Sequence, residues 1–260
     1  MRKEKVQKKS IASIVAALES YDGCEVDIRL TRDRIFVLFH DAEYEGRRLL
    51  QTDHKDINGI QTLEELLHHP RVVSLVNDFG KTLWIEIKED TTLGLKKDLL
   101  LSKYTAERIM QQLESSELRL DNIRIISFAP EILTHIKGFR TLRIVPYIFS
   151  ATEYFFPFYN FKTIWQMVVS LRRHIQDTKR MEIGGLLFSK LFLRWFFSLF
   201  QPTIGQIKSW KIDDFILGTE AQTFEEEKYF KEMVVITDYR GERKGGRGKN
   251  AGPLICHRGL

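Results

Sequence analysis

Glu25 and Asp27 stand two residues apart in the run Cys24-Glu25-Val26-Asp27-Ile28-Arg29-Leu30. The run alternates like a strand, and side chains on a strand alternate between its two faces. Glu25, Asp27 and Arg29 therefore share one face, and Val26 and Ile28 the other. Two carboxylates on one buried face need something positive between them. A hard divalent cation is the economical partner. A tight turn at Arg32-Asp33-Arg34 leads to a second extended run, Ile35 to Phe39, which ends in His40-Asp41. A histidine there is suited to proton transfer near neutral pH.

The same question arises in Thr82-Leu83-Trp84-Ile85-Glu86-Ile87-Lys88. Trp84, Glu86 and Lys88 lie on one face of this strand, Ile85 and Ile87 on the other. On their own, Glu86 and Lys88 read as an ion pair in a barrel core. The elements that must position these residues have local signals. Ser10 is an N-cap for a helix with Ile11, Ile14, Val15 and Leu18 on one face. Thr62-Leu63-Glu64-Glu65 is a capping box. It opens a helix expected to end around His68-His69-Pro70. Further strands are expected at Ile123–Ser127, Leu142–Ile148, Gly184–Phe188, Ile207–Trp210 and Met233–Asp238. The chain from Asp41 to Gly59 reads as a polar loop.

Glu25, Asp27, Thr31, Asp33, His40 and Asp41, in this order, resemble the pattern of the glycerophosphodiester phosphodiesterase family. The Ile85-Glu86-Ile87-Lys88 strand and Ser127-Phe128 resemble further motifs of that family. Its early His-Arg-Gly is absent from the N-terminal part of this sequence. It stands instead in Leu254-Ile255-Cys256-His257-Arg258-Gly259-Leu260. The sequence thus resembles a circularly permuted member, in which Lys8-Lys9-Ser10 replaces the family's usual Glu-Asn-Ser/Thr. The resemblance implies an α/β fold, a (β/α)8 TIM barrel whose first strand is C-terminal. Residues 1–260 would form a single barrel domain, with 240–252 a flexible basic linker and 253–260 the displaced first strand. It also implies that Glu25, Asp27 and Glu86 hold one divalent cation, Mg2+ or Ca2+. Arg258 and Lys88 would bind the substrate phosphate, and His257 and His40 would be the acid–base pair. The implied reaction is metal-dependent hydrolysis of glycerophosphodiesters to glycerol phosphate and an alcohol. The alternative is a non-catalytic member of the same fold that binds phosphorylated ligands or membranes.

Composition is compatible with this reading. The 260 residues suit one barrel of ~250 residues or two smaller domains. A net charge of +5 favours anionic substrates or an anionic surface. No nucleic-acid-binding motif accompanies it, and no nucleic-acid partner is expected. Cys24 and Cys256 are the two cysteines. They are too few for a disulfide framework, so a reducing compartment is the default. They read as small apolar residues packed under helices, on neighbouring strands of the permuted barrel. The run after Met1-Arg2-Lys3 is too short, and too helical in period, for a signal peptide. Lys190 and Arg194 interrupt the apolar run Ile183 to Phe200, which argues against a membrane span. The aromatic stretch 155–200 is interleaved with Lys162, Arg172, Arg173, Lys190 and Arg194. It reads first as outer-helix packing. The sharper reading is a peripheral membrane contact on a cytoplasmic protein, which would favour lysophospholipid substrates.

Overall fold

The structure, a computed structural model, describes residues 10–88, 99–144, 172–189, 214–219, 234–237 and 254–256. Ser10 caps α1 (Ile11–Ser20): its hydroxyl accepts from the Ser13 N–H at 3.1 Å, and the Ser13 hydroxyl answers from the other side of the cap. Ile11, Ile14, Ala17 and Leu18 are buried, which fixes the face that α1 turns inward. Complete burial of a side chain such as Ile14 or Leu18 contributes about 1.5–3 kcal/mol.

β1 (Gly23–Leu30) follows, then β2 (Phe36–Leu38), which pairs with it antiparallel, Ile28 opposite Leu38 and Leu30 opposite Phe36. The chain between Asp41 and Gly59 differs from the polar loop expected. It contains a small hairpin, β3 (Glu43–Tyr44) and β4 (Arg47–Arg48). Glu45 and Gly46 make its turn with φ of 50° and 75°, the left-handed pair that a tight hairpin needs. Val37, Phe39, Tyr44, Leu49, Ile57 and Ile60 form a separate buried cluster beneath it. Tyr44, Leu49, Ile57 and Ile60 are spaced without a helical or strand period, so no local pattern marks this core.

Thr62 and Glu65 form the expected capping box of α2 (Leu63–Leu67). The helix ends close to where expected, with His68 as its C-cap. Pro70 then occupies the first turn of a second helix, α3 (Pro70–Asn77), where its missing N–H costs nothing and its fixed φ is already helical. Then come β5 (Thr82–Ile87), α4 (Leu99–Glu114), β6 (Ile123–Ser127), α5 (Pro130–His135), β7 (Arg140–Ile144), a helix through 172–180, and β8 (Gly185–Ser189). The last three strands are β9 (Asp214–Thr219), β10 (Val234–Thr237) and β11 (Leu254–Cys256). The expected strand Ile207–Trp210 lies outside the described residues, and the strand between β8 and β10 is Asp214–Thr219. Its apolar run, Phe215-Ile216-Leu217, pairs along β8.

The sheet runs β1, β5, β6, β7, β8, β9, β10, β11, each pair parallel, and β11 pairs back onto β1. Eight parallel strands therefore close into a ring with helices outside, the (β/α)8 barrel expected. The last strand lies between β10 and β1. One edge of β1 is shared: β11 pairs at Gly23 and Cys24, and β2 at Ile28 to Leu30. Cys24, Val26, Ile28, Leu83, Ile85 and Ile87 join the large buried cluster with residues of α1 to α5. By strand alternation Glu25, Asp27, Trp84 and Glu86 face the other way, into the ring. Among the described residues no helix is long and apolar enough to cross a membrane. Residues 240–252, and 155–171 and 190–200 of the aromatic stretch, lie outside the described residues.

Candidate functional site

Parallel pairing of β1 with β5 sets Asp27 opposite Glu86 and Glu25 opposite Trp84. Register partners share a face, so three carboxyl groups from two strands meet inside the ring. Glu25, Asp27 and Glu86 are 1%, 0% and 4% exposed, and an oxygen from each lies within 4.8 Å of the other two. Among the described residues the nearby cation is Lys88. Its Nζ is 3.2 Å from Asp27 Oδ1 and is ion-paired with Glu86 Oε1. Its backbone N–H donates to the Ile28 carbonyl at 3.1 Å, which ties the end of β5 to β1.

Among the described residues Lys88 is the ammonium beside the three carboxyl groups, and the crowding shows in Glu86. Burial and the nearby Glu25 push the Glu86 carboxyl up to about 7; Lys88 opposes the shift, and Asp27 adds to it. A buried set of three hard oxygen donors from two strands fits a hard divalent cation. Trp84, 2% exposed, lies one strand step below Glu86, its Nε1 bonded to Thr82 Oγ1 at 2.9 Å.

The hairpin ties the segment that carries His40 to β1. The Phe39 N–H donates to the Asp27 carbonyl at 3.1 Å, so His40 follows directly from a backbone contact with a carboxylate residue. Arg29 Nε donates to the His40 carbonyl at 2.7 Å. Asp41 Oδ1 lies 2.7 Å from His40 Nδ1. A carboxylate only accepts, so Nδ1 carries the proton and Nε2 keeps the lone pair of the neutral ring.

Thr31 and Asp33 do not join the carboxylates. Thr31 Oγ1 donates to Asp33 Oδ1 at 2.6 Å and accepts from the Ile35 N–H at 3.0 Å. Asp33 accepts from the His54 N–H at 3.0 Å. Burial acts to raise the Asp33 carboxyl, but the hydrogen bonds from Thr31 and His54 outweigh it and hold the group below its ordinary value. Arg32 adds a two-pronged pair to Asp53, at 2.7 and 2.6 Å. These residues pin the hairpin turn to the excursion that carries His40.

Ser127, at the end of β6, donates to the Ile87 carbonyl at 2.9 Å and accepts from the Ala129 N–H at 3.1 Å. This leaves Phe128 projecting, 46% exposed, with Lys88 Nζ 5.6 Å from its ring centre. His68 is exposed and His69 partly so; neither belongs to the site. His257 and Arg258 lie outside the described residues, one and two positions beyond the end of β11. Sequence reasoning missed the clamp of Arg29 on His40. Its signal was present, because Arg29 shares the face of Glu25 and Asp27.

No protein-family model and no curated protein matches the sequence. Solved structures do match in fold. One is a glycerophosphodiester phosphodiesterase from Parabacteroides distasonis, 15% identical, covering 98% of this chain and 88% of that one with a TM-score of 0.61. A glycerophosphodiester phosphodiesterase from Thermotoga maritima is 13% identical over 96% of this chain and 87% of that one, TM-score 0.56. An Oleispira antarctica phosphodiesterase, in complex with the product sn-glycerol-3-phosphate, is 17% identical over 88% of this chain and 86% of that one, TM-score 0.56. The chain thus has the fold of glycerophosphodiester phosphodiesterases.

Proposed function

We propose that the protein hydrolyses glycerophosphodiesters to glycerol phosphate and an alcohol. The observation that carries the reading is the register pair of Asp27 and Glu86, with Glu25 and Lys88 beside it, inside a barrel of this fold. Glu25, Asp27 and Glu86 would hold one divalent cation, Mg2+ or Ca2+. Bound there, it would supply positive charge against the charge that develops on the phosphoryl oxygens. Lys88 and Arg258 would bind the phosphate, Arg258 as a two-pronged donor. His40 and His257 would be the acid–base pair. With Nδ1 held by Asp41, His40 offers Nε2 to take the proton of the attacking hydroxyl, or in its protonated form to give one to the leaving alkoxide. The product seen on the Oleispira neighbour is of the class this reaction releases.

We extend the proposal to residues 1–260 acting as one barrel in the cytoplasm, with lysophospholipids as further substrates and the aromatic stretch 155–200 against a membrane surface. The test is release of glycerol 3-phosphate from glycerophosphocholine with Mg2+ or Ca2+, beside the same assay on lysophosphatidylcholine. Turnover is expected to vanish with chelator and to fall ~10²–10⁴-fold in His40→Ala. No turnover from folded, metal-loaded protein would replace the proposal with a binding role.

A further inference from the structure

Phe128 is exposed between buried neighbours. Ser127, Ala129 and Pro130 are buried, and the backbone on both sides of the ring is held. The Ser127 hydroxyl donates to the Ile87 carbonyl at 2.9 Å and accepts from the Ala129 N–H at 3.1 Å. Ile87 directly precedes Lys88, so this one hydroxyl couples the end of β6 to the end of β5. Pro130 then starts α5, with its φ already helical. Phe128 is left to project beside Lys88, whose Nζ lies 5.6 Å from its ring centre.

The Lys88 ammonium thus has neighbours of two kinds. Asp27 Oδ1 is 3.2 Å away and Glu86 Oε1 is ion-paired with it, while the Phe128 ring lies beneath it. Asp27 and Glu86 belong to the set proposed to hold a divalent cation. Oxygens that ligate a cation attract the ammonium less, because the cation neutralises them and repels it. The ring keeps its attraction. Its π face draws an ammonium at this distance whatever the carboxylates bind. A lysine ammonium on its flexible four-carbon stem would otherwise turn toward water, which solvates it strongly.

We propose that Phe128 is a positioning residue for Lys88: the face of its ring keeps the ammonium beside the carboxylate set when a divalent cation occupies Glu25, Asp27 and Glu86, so that the ammonium meets a phosphate oxygen of the substrate. This role deepens the proposed reaction and rests on its assignment of Lys88 to the phosphate. Phe128 acts through Lys88 and needs no contact of its own with the ligand. A cation–π contact at a partly exposed site corresponds to ~2–5-fold in affinity.

The test measures binding of inorganic phosphate and of glycerol 3-phosphate to the full chain by calorimetry, at saturating Mg2+ or Ca2+. Phe128→Leu keeps an apolar side chain and removes the ring; both dissociation constants should rise ~2–5-fold. Phe128→Tyr keeps the ring and should bind like the parent. The two variants should melt within a few degrees of each other, so a merely structural role would not split their affinities. Lys88→Met should bind phosphate more weakly, and adding Phe128→Leu to it should change nothing further, since the ring then has no ammonium to hold. If Lys88→Met fails to fold, the Leu and Tyr variants alone carry the comparison. Equal phosphate affinity in the parent and Phe128→Leu would overturn the proposal. So would equal losses in the Leu and Tyr variants, a further loss in the Lys88→Met background, or a parent that binds no phosphate. Turnover on glycerophosphocholine separates this role from the reaction. A parent with the expected binding pattern and no hydrolysis would remove the reaction alone; a hydrolysing parent matched in affinity by Phe128→Leu would remove Phe128 alone.

Discussion

Glu86 concentrates the cost of the site in one residue. Its carboxyl rises from 4.5 to about 7, chiefly through burial and then through Glu25. A folded-state value above the unfolded one means that the native chain binds the proton more tightly. Stability is then fully present below pH 4.5 and is lost as pH rises through about 7. A shift of this size corresponds to on the order of 3 kcal/mol. Metal-free protein should therefore become easier to unfold in urea between these pH values. Glu86→Gln should remove that slope and be the more stable chain at pH 8. A saturating divalent cation should stabilise the parent and have a much weaker effect on the variant. A flat profile in metal-free parent protein would contradict the argument. Alternation on one strand was enough to single out Glu25 and Asp27. The double engagement of Lys88 was not legible, because it depends on how β1 and β5 align, and no local pattern encodes register between strands 60 residues apart.

At the scale of elements, the β1–β2 hairpin ties the segment that carries His40 to the backbone of Asp27. At the open end of the hairpin the Phe39 N–H donates to the Asp27 carbonyl, and Arg29 donates to the His40 carbonyl. Arg29 acts through the backbone of His40, which makes it a positioning residue. In Arg29→Lys the charge is kept but the Nε fork is lost. Turnover should fall roughly 10–100-fold with KM nearly unchanged, since misplacing a reacting group by about an ångström costs on that order. The melting temperature should shift by only a few degrees. A variant with unchanged kcat would remove Arg29 from the mechanism. Elements with local chemistry were legible: Ser10 and Thr62 cap their helices where expected, and Val26 and Ile28 alternate with the acidic residues. Elements defined by context were not. No expectation covered α3, because Pro70 stands as well after one helix as at the start of the next. The cluster of Phe39, Tyr44 and Ile57 forms only when the excursion folds over β2.

The whole molecule turns on how the ring closes. β11, α1 and β1 are the parts of one strand–helix–strand unit. β11 and β1 are parallel neighbours, and α1 packs against β1 and leads into it. In this chain the two strands meet only after all the others have been placed. A chain with residues 253–260 set ahead of residue 1, and ended at residue 239, would make that unit local. The barrel interior and its carboxylates would be unchanged, since every strand keeps its neighbours. Such a chain should fold to the same far-UV spectrum and melt within about 5 °C of the parent. It should also keep turnover on glycerophosphocholine. Refolding should be faster, because the pairing of greatest sequence separation becomes one of the shortest and its loop-closure entropy falls. Stopped-flow refolding of both chains measures this directly. An active parent beside a rearranged chain that fails to fold would mean that Leu254–Cys256 is not the displaced first strand.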